Sequence, residues 1–494
     1  MNLDLKLREH AKENPEKLAL GWETGSFTYR ELNERVQKLA NQFYLSGVVK
    51  GDRIAIILDN CPEFVISYYA CMRIGAISVP INPSFTSREF GIIINDSTPK
   101  IIITNEAVNE VLKQTKIEGN PQYLLRNDSI FSDLITDGQA EYLVDLHENE
   151  ECSILYTSGT TGLPKGAVLT YHNLYHNAKT FAETLELNEN DRTLILTPLS
   201  HIASQSNCMN TLIYCGGYIY LIPRWKSSSN TLSTLEKEEI TFFFGPPTVY
   251  TYMLNDKDIS TYHLKLRIAY TGAAPLPEKI FKKWRETFGF EIVEGYGLTE
   301  CSPVVSVNPP HGRKKLGSVG LPINDVRVKI VNERFEEVPI GESGELVVQG
   351  PNVIKRYYNR EKENYSAFID GWFRTGDIAK RDNDGYLYIV DRQKDMIIRS
   401  GFNVYPREVE EVLYEHPAVL EVAVIGYPDA EKGELVKAVL TLKSGYGGKV
   451  EELKEFCKER LATYKVPQEF EIVNELPKTS SGKIVKTKLR ELYT

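Results

Sequence analysis

One short stretch of the sequence is rich in the residue types that bind phosphate groups: Tyr156-Thr157-Ser158-Gly159-Thr160-Thr161-Gly162-Leu163-Pro164-Lys165-Gly166. Its glycines let the backbone turn sharply and approach a ligand closely. Its hydroxyls and exposed N–H groups can surround phosphate oxygens, and Lys165 adds a positive charge. A Walker A loop is excluded, because no Gly-Lys-Ser/Thr follows the first glycine at the required spacing. The alternative is an ordinary surface loop rich in Ser, Thr and Gly.

The cysteines and histidines show no convincing metal-binding pattern. An odd set of seven scattered cysteines without a CxxC pair is typical of buried, reduced thiols in a cytosolic protein. His172 and His176 are four residues apart and could form a metal pair on a helix. A plain helix face is the simpler interpretation, and the sequence predicts no zinc site.

Composition and charge limit the class of protein. A chain of 494 residues is too long for one compact core. Its net charge of -9 argues against a general nucleic-acid binder, which needs a basic face. The N-terminus lacks the apolar region of a secretory signal, and the apolar runs are too short to span a bilayer. We expect a cytoplasmic protein, with transient membrane-surface contact left open.

The elements that must position these residues alternate between strands and helices. Thr28 and Glu31 have the form of a capping box at the start of a helix over 27–47. A buried strand over 54–58, a helix over 62–74 and a strand over 76–80 follow. Further apolar runs lie at 101–104, 193–197, 217–222, 241–244 and 267–271. This alternation predicts an α/β fold with parallel sheets covered by helices.

The pattern changes after about residue 315. Strands are expected at 326–331 and 344–349, and Asp384-Gly385 is typical of a hairpin turn. From 408 onward the sequence predicts a small α+β unit of about a hundred residues. Its elements are a helix, strands 420–426 and 435–442, a helix over 450–462 and a strand over 469–473.

The glycine-rich stretch resembles the phosphate loop of the adenylate-forming superfamily, which contains acyl-CoA synthetases, adenylation domains of peptide synthetases and beetle luciferases. The family's other motifs occur in the family's order across essentially the whole chain. They are Thr271-Gly272-Ala273-Ala274-Pro275-Leu276, Gly295-Tyr296-Gly297-Leu298-Thr299-Glu300, Gly344-Glu345-Leu346, Gly350-Pro351-Asn352-Val353, Thr375-Gly376-Asp377, Asp391-Arg392-Gln393-Lys394-Asp395, Ser400-Gly401-Phe402-Asn403-Val404-Tyr405-Pro406 and Pro477-Lys478-Thr479-Ser480-Ser481-Gly482-Lys483. The resemblance implies a large N-terminal domain with a small β-barrel-like part, followed by a small mobile domain.

The resemblance implies an ATP site with Mg²⁺ held by Thr157 and Glu300, since this hard cation prefers oxygen ligands and substrate phosphates. Tyr296 would stack on adenine, and Asp377 and Arg392 would contact the ribose. The full set of implied ATP-binding residues is Thr157, Ser158, Gly159, Thr160, Thr161, Gly162, Lys165, Gly272, Ala273, Ala274, Gly295, Tyr296, Gly297, Thr299, Asp377, Arg392 and Lys483.

The resemblance makes Lys483 the principal catalytic candidate, together with Glu300 and His201. A carboxylate and an α-phosphate repel each other, and an ammonium group between them stabilises their approach and the charge that develops. Residues 478–490 contain five basic residues and no acidic one, so a solvated basic tail is the alternative. The family's last basic position is often Arg, and here it is Lys486, a change not expected to remove activity.

Two further regions receive roles from the resemblance. Lys394 lies at the family hinge, which would let the small domain reorient between the two reaction steps. The acyl and thiol channel would be lined by His201, Ala203, Ser400, Gly401 and Phe402. Ala203 departs from the family, which often has an aromatic residue there, so the shape of the pocket is left open.

The substrate is expected to be a carboxylic acid without an amino group. Amino-acid adenylating domains use an Asp to hold the substrate ammonium, and Ile202 occupies that place, with no acidic residue from 196 to 210. A free amino acid would bury an unpaired charge. The chain ends eleven residues after Lys483 without a carrier domain, which favours a free-standing acyl-CoA synthetase.

The sequence therefore predicts an ATP- and Mg²⁺-dependent ligase with coenzyme A as co-substrate. Its domains are 1–393 and 394–494, and it is a monomer or a homodimer. The motifs around Gly295 and Gly401 most resemble bacterial fatty acid–CoA ligases, so a medium- or long-chain fatty acid is the first choice. Aryl acids such as coumarate or succinylbenzoate come second. A loader of a carrier protein and an inactive binding homologue are the remaining alternatives.

Overall fold

The computed structural model of the protein describes residues 1–127, 144–158, 164–429, 431–446, 449–479 and 482–493, with Ser158 described by its backbone alone. None of the helices within these ranges is long and apolar enough to cross a membrane.

The first part of the chain, up to residue 127, alternates helices and strands. Its elements are α1 (Leu3–Glu13), β1 (Leu18–Trp22), β2 (Gly25–Thr28), α2 (Tyr29–Leu45), β3 (Arg53–Ile57), α3 (Pro62–Ile74), β4 (Ile77–Pro80), α4 (Ser87–Ser97), β5 (Ile101–Thr104), α5 (Glu106–Lys113) and β6 (Gln122–Leu125).

The second part, from residue 144 to 307, continues the alternation. Its elements are β7 (Glu151–Ser158), β8 (Pro164–Thr170), α6 (Tyr171–Leu185), β9 (Arg192–Ile195), a π-helix (Ala203–Asn210), α7 (Thr211–Cys215), β10 (Tyr218–Leu221), α8 (Ser228–Lys237), β11 (Phe242–Phe244), α9 (Pro247–Leu254), a 3₁₀ turn (Ile259–Thr261), β12 (Ile268–Thr271), α10 (Glu278–Phe288), β13 (Val293–Gly297), a 3₁₀ turn (Thr299–Cys301) and β14 (Val304–Val307).

The last part contains mainly antiparallel strands. Its elements are β15 (Leu321–Pro322), β16 (Arg327–Val331), β17 (Gly344–Gln349), α11 (Glu361–Ala367), β18 (Phe368–Ile369), β19 (Trp372–Arg381), β20 (Leu387–Arg392), a 3₁₀ turn (Gln393–Asp395), β21 (Ile397–Arg399), β22 (Phe402–Val404), α12 (Pro406–Glu415), β23 (Val419–Asp429), β24 (Gly433–Leu442), α13 (Val450–Lys458), β25 (Glu469–Ile472) and α14 (Lys486–Tyr493).

Two large sheets form the body of the protein, with strand orders β6-β5-β3-β4-β7-β8 and β15-β14-β13-β12-β11-β9-β10-β1-β2. Their central strands are parallel, as the alternating pattern predicts. Antiparallel strands close both edges of the larger sheet and the β8 edge of the smaller sheet, whereas β6 is parallel to β5. The apolar runs that predict these strands are buried on both faces because helices cover the sheets. The α/β fold is thus confirmed.

Local sequence signals set several element boundaries. Thr28 and Glu31 form the predicted capping box, and Thr86 with Glu89 forms a second one. The predicted strand at 344–349 and helix at 62–74 have the expected bounds. The helix expected over 450–462 ends earlier, at Lys458, and the chain continues there in tighter turns.

The part of the chain after residue 315 contains two smaller sheets. One is antiparallel, with the order β16-β17-β19-β18 and β20 paired to β19 through the predicted Asp-Gly hairpin. The other has the order β22-β21-β24-β23, with β25 parallel to β24, and has its own hydrophobic core around α12 and α13. This second unit is the predicted small α+β domain.

Candidate active site

Asp377 and Arg392, the candidates for ribose contact, face each other on β19 and β20. Arg392 Nε lies 3.2 Å from Asp377 Oδ1. The hydroxyl of Tyr296, at the end of β13, donates to Asp377 Oδ2 at 2.5 Å. Tyr296 and Arg392 come from distant motifs, and the structure brings both to the buried carboxylate of Asp377.

The glycines of the adenine-side motifs allow close backbone packing. A Cβ on Gly295 would lie 2.4 Å from Tyr270 Oη, and one on Gly297 would lie 2.1 Å from the Pro303 carbonyl oxygen. A Cβ on Gly272 would lie 3.0 Å from the Gly295 carbonyl oxygen. The packing of β12 and β13 therefore requires small residues at these three positions, independently of any ligand that approaches the backbone.

The turn after β12 exposes backbone next to Tyr296. Ala273 has a left-handed φ of 68° and is exposed, and Ala274 is partly exposed. A non-glycine residue in this region is uncommon and is held by its surroundings. Exposed backbone polar groups in such a turn are suited to hydrogen bonds with a flat heterocycle.

Glu300 lies in the 3₁₀ turn that follows β13 and Thr299. Tyr357 donates a hydrogen bond to Glu300 Oε1 at 2.8 Å. Burial raises the pKa of Glu300, and the Tyr357 hydrogen bond partly counteracts that effect. A partly buried carboxylate fits the oxygen ligands that Mg²⁺ prefers.

Tyr357 also connects Glu300 to the glycine-rich stretch. Thr157 and Lys165 pair across β7 and β8, and the Lys165 ammonium lies 5.7 Å from the centre of the Tyr357 ring. The backbone of Ala167 in β8 forms a bridge with Tyr357. The two proposed Mg²⁺ ligands, Thr157 and Glu300, are therefore linked through Lys165 and Tyr357. No sequence motif indicates a role for Tyr357.

The tip of the predicted phosphate loop lies outside the described residues. Its strands are the antiparallel pair β7 and β8, with Ser158 ending β7. The predictions for Gly159, Thr160, Thr161 and Gly162 therefore stay predictions.

Lys483 of the small domain lies among the charges of the Asp377 site. Burial and the neighbouring Arg392 guanidinium lower the pKa of Lys483 to about 8, while Asp377 and Asp395 act in the opposite direction. Lys483 is thus the cation that the small domain contributes beside the proposed nucleotide site. Lys486, at the family's usual Arg position, instead pairs with Glu410 at 2.8 Å.

His201 lies near Lys483 at the start of the π-helix. Burial, and secondarily the charge of Lys483, lower the pKa of His201 to about 4, so the imidazole is neutral near pH 7. Ala203, the first residue of the π-helix, donates its N–H to His201 Nδ1 at 3.3 Å. His201, which Ala203 contacts, is therefore within electrostatic range of Lys483, the catalytic candidate.

The hinge and thiol-channel candidates occupy the start of the small domain. Lys394 lies in the exposed 3₁₀ turn after β20. Ser400 and Gly401 form the β21–β22 turn with φ values of 50° and 81°. Phe402 stacks on Tyr464 at 4.9 Å, within the small domain. The contacts described for this turn do not reach the Lys483 site, so its role stays a prediction.

The two histidines of the candidate pair share one helix, and the cysteines are dispersed. His172 and His176 lie on α6 with ring centres 6.2 Å apart, and the described residues contain no group of three metal-binding side chains. All seven cysteines belong to the described part of the chain and are free.

The arrangement has the parts needed for nucleotidyl transfer to a carboxylate. The oxygen atoms of Thr157 and Glu300 can hold Mg·ATP, and a lysine can lie between two anions that must approach. The imidazole of His201, which is within electrostatic range of Lys483, is neutral near pH 7 and adds no charge to the site.

This fold and site define an adenylate-forming enzyme of two domains. Two family models match the chain: the AMP-binding enzyme over residues 7–358 and the AMP-binding enzyme C-terminal domain over residues 408–483. The chain belongs to the AMP-binding enzyme family, within its acyl-CoA ligases.

Two characterised relatives act on different acids. The chain is 35% identical to a long-chain-fatty-acid–CoA ligase of Bacillus subtilis (strain 168), covering 99% of this chain and 94% of that protein. It is 36% identical to a feruloyl-CoA synthase of Amycolatopsis sp., covering 98% of this chain and 97% of the relative.

Solved structures agree with this assignment. ATP-bound MatB from Rhodopseudomonas palustris is 31% identical, with a TM-score of 0.91 over 100% of this chain and 99% of that chain. O-succinylbenzoate coenzyme A synthetase from Bacillus subtilis, in complex with ATP and magnesium ion, is 33% identical, with a TM-score of 0.86 over 98% of both chains. ATP, Mg²⁺ and CoA are the cofactors and co-substrates of this family.

Proposed function

We propose that the protein joins a medium- or long-chain fatty acid to coenzyme A in two steps. In the first step, a carboxylate oxygen attacks the α-phosphorus of Mg·ATP, which gives acyl-AMP and diphosphate. In the second step, the CoA thiolate attacks the acyl carbon, which gives acyl-CoA and releases AMP. Atoms balance without any further reactant.

The observation that carries this proposal is the position of Lys483. The charges of Arg392 and Asp377 act on its ammonium, and that ammonium in turn acts on the imidazole of His201. Lys483 is therefore within electrostatic range of both the nucleotide candidates and the acyl-side candidate His201. This placement supports a role for Lys483 in stabilising the approach of the substrate carboxylate to the α-phosphate of ATP.

The absence of acidic residues around His201 is consistent with an acid that carries no positive charge, such as a fatty acid. Ile202 is 2% exposed, and no acidic residue occurs from 196 to 210, so a substrate ammonium would find no counter-charge there. The fatty-acid ligase of Bacillus subtilis is similar over nearly the whole chain.

An aryl acid is the second candidate, and one structural observation favours it. Gln205 Oε1 and Asn207 Oδ1, on the π-helix after His201, are buried without a hydrogen-bond partner. Buried acceptors without partners are unfavourable. A hydroxyl on the acid could satisfy one of them, and the feruloyl-CoA synthase is as similar to this chain as the fatty-acid ligase.

Transfer to a carrier protein instead of CoA is the remaining alternative. We further propose a cytoplasmic monomer or homodimer whose domains divide at residues 393 and 394.

A screen of AMP release tests the proposal. The purified protein would be given Mg·ATP and acids from acetate to octadecanoate, together with ferulate, coumarate and succinylbenzoate. Each acid would be tested with CoA, with a carrier protein and with neither. We expect CoA-dependent AMP release that is greatest for medium or long alkyl chains. Greatest release with ferulate, and less with its analogue lacking the hydroxyl, would replace the fatty acid by an aryl acid. ADP release would contradict the proposed reaction.

A further inference from the structure

A short loop of the small domain carries Lys483 into the site. Lys478 and Ile484 form an isolated antiparallel bridge at the base of this loop. The backbone N–H of Thr479 donates to the Lys483 carbonyl at 2.8 Å. Lys483 is therefore fixed relative to Lys478 by backbone hydrogen bonds, and whatever holds Lys478 also holds Lys483.

The side chain of Lys478 connects the two domains. Its ammonium donates to Glu421 Oε2 at 2.7 Å and to the Tyr252 hydroxyl at 2.9 Å. Glu421 belongs to β23 of the small domain, whereas Tyr252 belongs to α9 of the large domain. The side chain of Glu421 is 4% exposed and that of Lys478 is 21% exposed, so the contact is largely shielded from water.

The same face of α9 contacts the loop at a second point. Thr248 and Tyr252 are four residues apart, so they lie one helical turn from each other. The Thr248 hydroxyl donates to the Gly482 carbonyl oxygen at 3.4 Å. One helix face therefore contacts the loop at its base and again at the residue before Lys483.

The charge of Lys478 is maintained in this contact. Burial lowers its pKa, but the hydrogen bonds to Glu421 and Tyr252 outweigh that effect and raise the pKa overall. Hydrogen bonds to charged groups are stronger than neutral ones, and losing one changes an equilibrium by about tenfold or more. The loss of the Tyr252 hydroxyl alone would leave the Lys478–Glu421 pair intact.

We infer that Tyr252, acting with Lys478 and Glu421, is a positioning residue that seats the Lys483 loop for acyl-AMP formation. The inference rests on the proposed function. Because Tyr252 and Lys478 belong to different domains, their contact stabilises only the arrangement in which Lys483 is in the site. If the small domain turns about the predicted hinge at Lys394 before the second step, acyl transfer to CoA proceeds without the contact.

Tyr252→Phe tests the inference with a minimal change. The ring, which lies 5.4 Å from the ring of Trp225, is kept and only the hydroxyl is lost. Single-turnover acyl-AMP formation should fall about tenfold. Thioester formation from supplied acyl-adenylate should stay within about twofold of wild type. Tyr365→Phe, at an exposed position, is the matched control and should change neither step.

Lys478 provides a second pair of variants. Lys478→Gln should slow acyl-AMP formation more than Tyr252→Phe does, and Lys478→Arg, which retains the charge, should restore part of the rate. An equal loss in both half-reactions, or no loss in Tyr252→Phe, would overturn the inference. Wild-type protein that forms no acyl-AMP would instead overturn the proposed function.

Discussion

Arg392 and Asp377 lie directly opposite each other on β20 and β19, with Arg392 Nε 3.2 Å from Asp377 Oδ1. Both charges act on Lys483, the guanidinium lowering its pKa and the carboxylate raising it. The ion pair of the large domain therefore sets the electrostatic environment of a lysine from the small domain.

Removal of the Lys483 ammonium should affect one half-reaction. Lys483→Ala should reduce acyl-AMP formation by at least about a hundredfold, because the cation is needed where carboxylate meets phosphate. Thioester formation from supplied acyl-adenylate should remain mostly intact. Rapid-quench assays of each step provide the measurement. Lys488→Ala, at an exposed position on the following helix α14, is the control. Equal loss of both steps in Lys483→Ala would refute the assignment.

The pH dependence of acyl-AMP formation should reflect Lys483. Its pKa is lowered to about 8 by burial and by Arg392, so the lysine is charged below that pH and neutral above it. The value of kcat/KM, which follows groups of the free enzyme, should therefore fall as pH rises through about 8. His201, with a pKa of about 4, should remain neutral over the same range.

Arg392→Gln supplies the control for that profile. Removing the repulsive guanidinium should move the alkaline fall to higher pH, even though ATP use itself becomes weaker. A fall that stays at the wild-type pH would show that another group controls it.

Glu300 should govern the use of Mg·ATP. Glu300→Gln removes one charge from an oxygen-ligand site, so the Mg²⁺ concentration needed for half-maximal activity should rise about tenfold. Tyr357→Phe keeps the carboxylate but removes its hydrogen-bond donor, so its effect should be smaller. A magnesium titration of both variants measures this. Full activity of Glu300→Gln at limiting Mg²⁺ would show that Glu300 is not a ligand.

Lys394→Pro should separate the two half-reactions in the opposite sense to Lys483→Ala. Proline fixes φ and removes a backbone donor in the 3₁₀ turn that joins the domains. Acyl-AMP formation should survive, because Lys483 is already in the site, whereas CoA transfer should fall much further. Pre-steady-state assays of the two steps, with Lys394→Ala as control, measure the split. If Lys394→Pro retained wild-type rates in both steps, the small domain would not turn about Lys394.

The elements of the large domain could be predicted because their signals are local. The capping box of Thr28 and Glu31 and the apolar run after Arg53 each specify one element from neighbouring residues. The order of strands in the sheets could not be read this way, since pairing joins distant segments such as β1 and β10.

Site residues could be predicted only where they lie within a recognisable sequence motif. Tyr357 has no local signal for a role, and only the bridge between its segment and β8 brings it to Glu300. Tyr252 and Glu421 carry no local signal either: Lys478 contacts Glu421 through the folding of the small domain and Tyr252 through the packing of the two domains. The glycines at 295 and 297 were assigned to ligand approach, but the strand packing also requires them.

The central claim is that the acid is activated as an acyl-adenylate, and oxygen-18 labelling tests it most directly. An acid labelled in both carboxylate oxygens would be converted to acyl-CoA, and the nucleotide products would be examined by mass spectrometry. The account predicts one labelled oxygen in the phosphate of each AMP, with unlabelled diphosphate. Labelled orthophosphate together with ADP would contradict it.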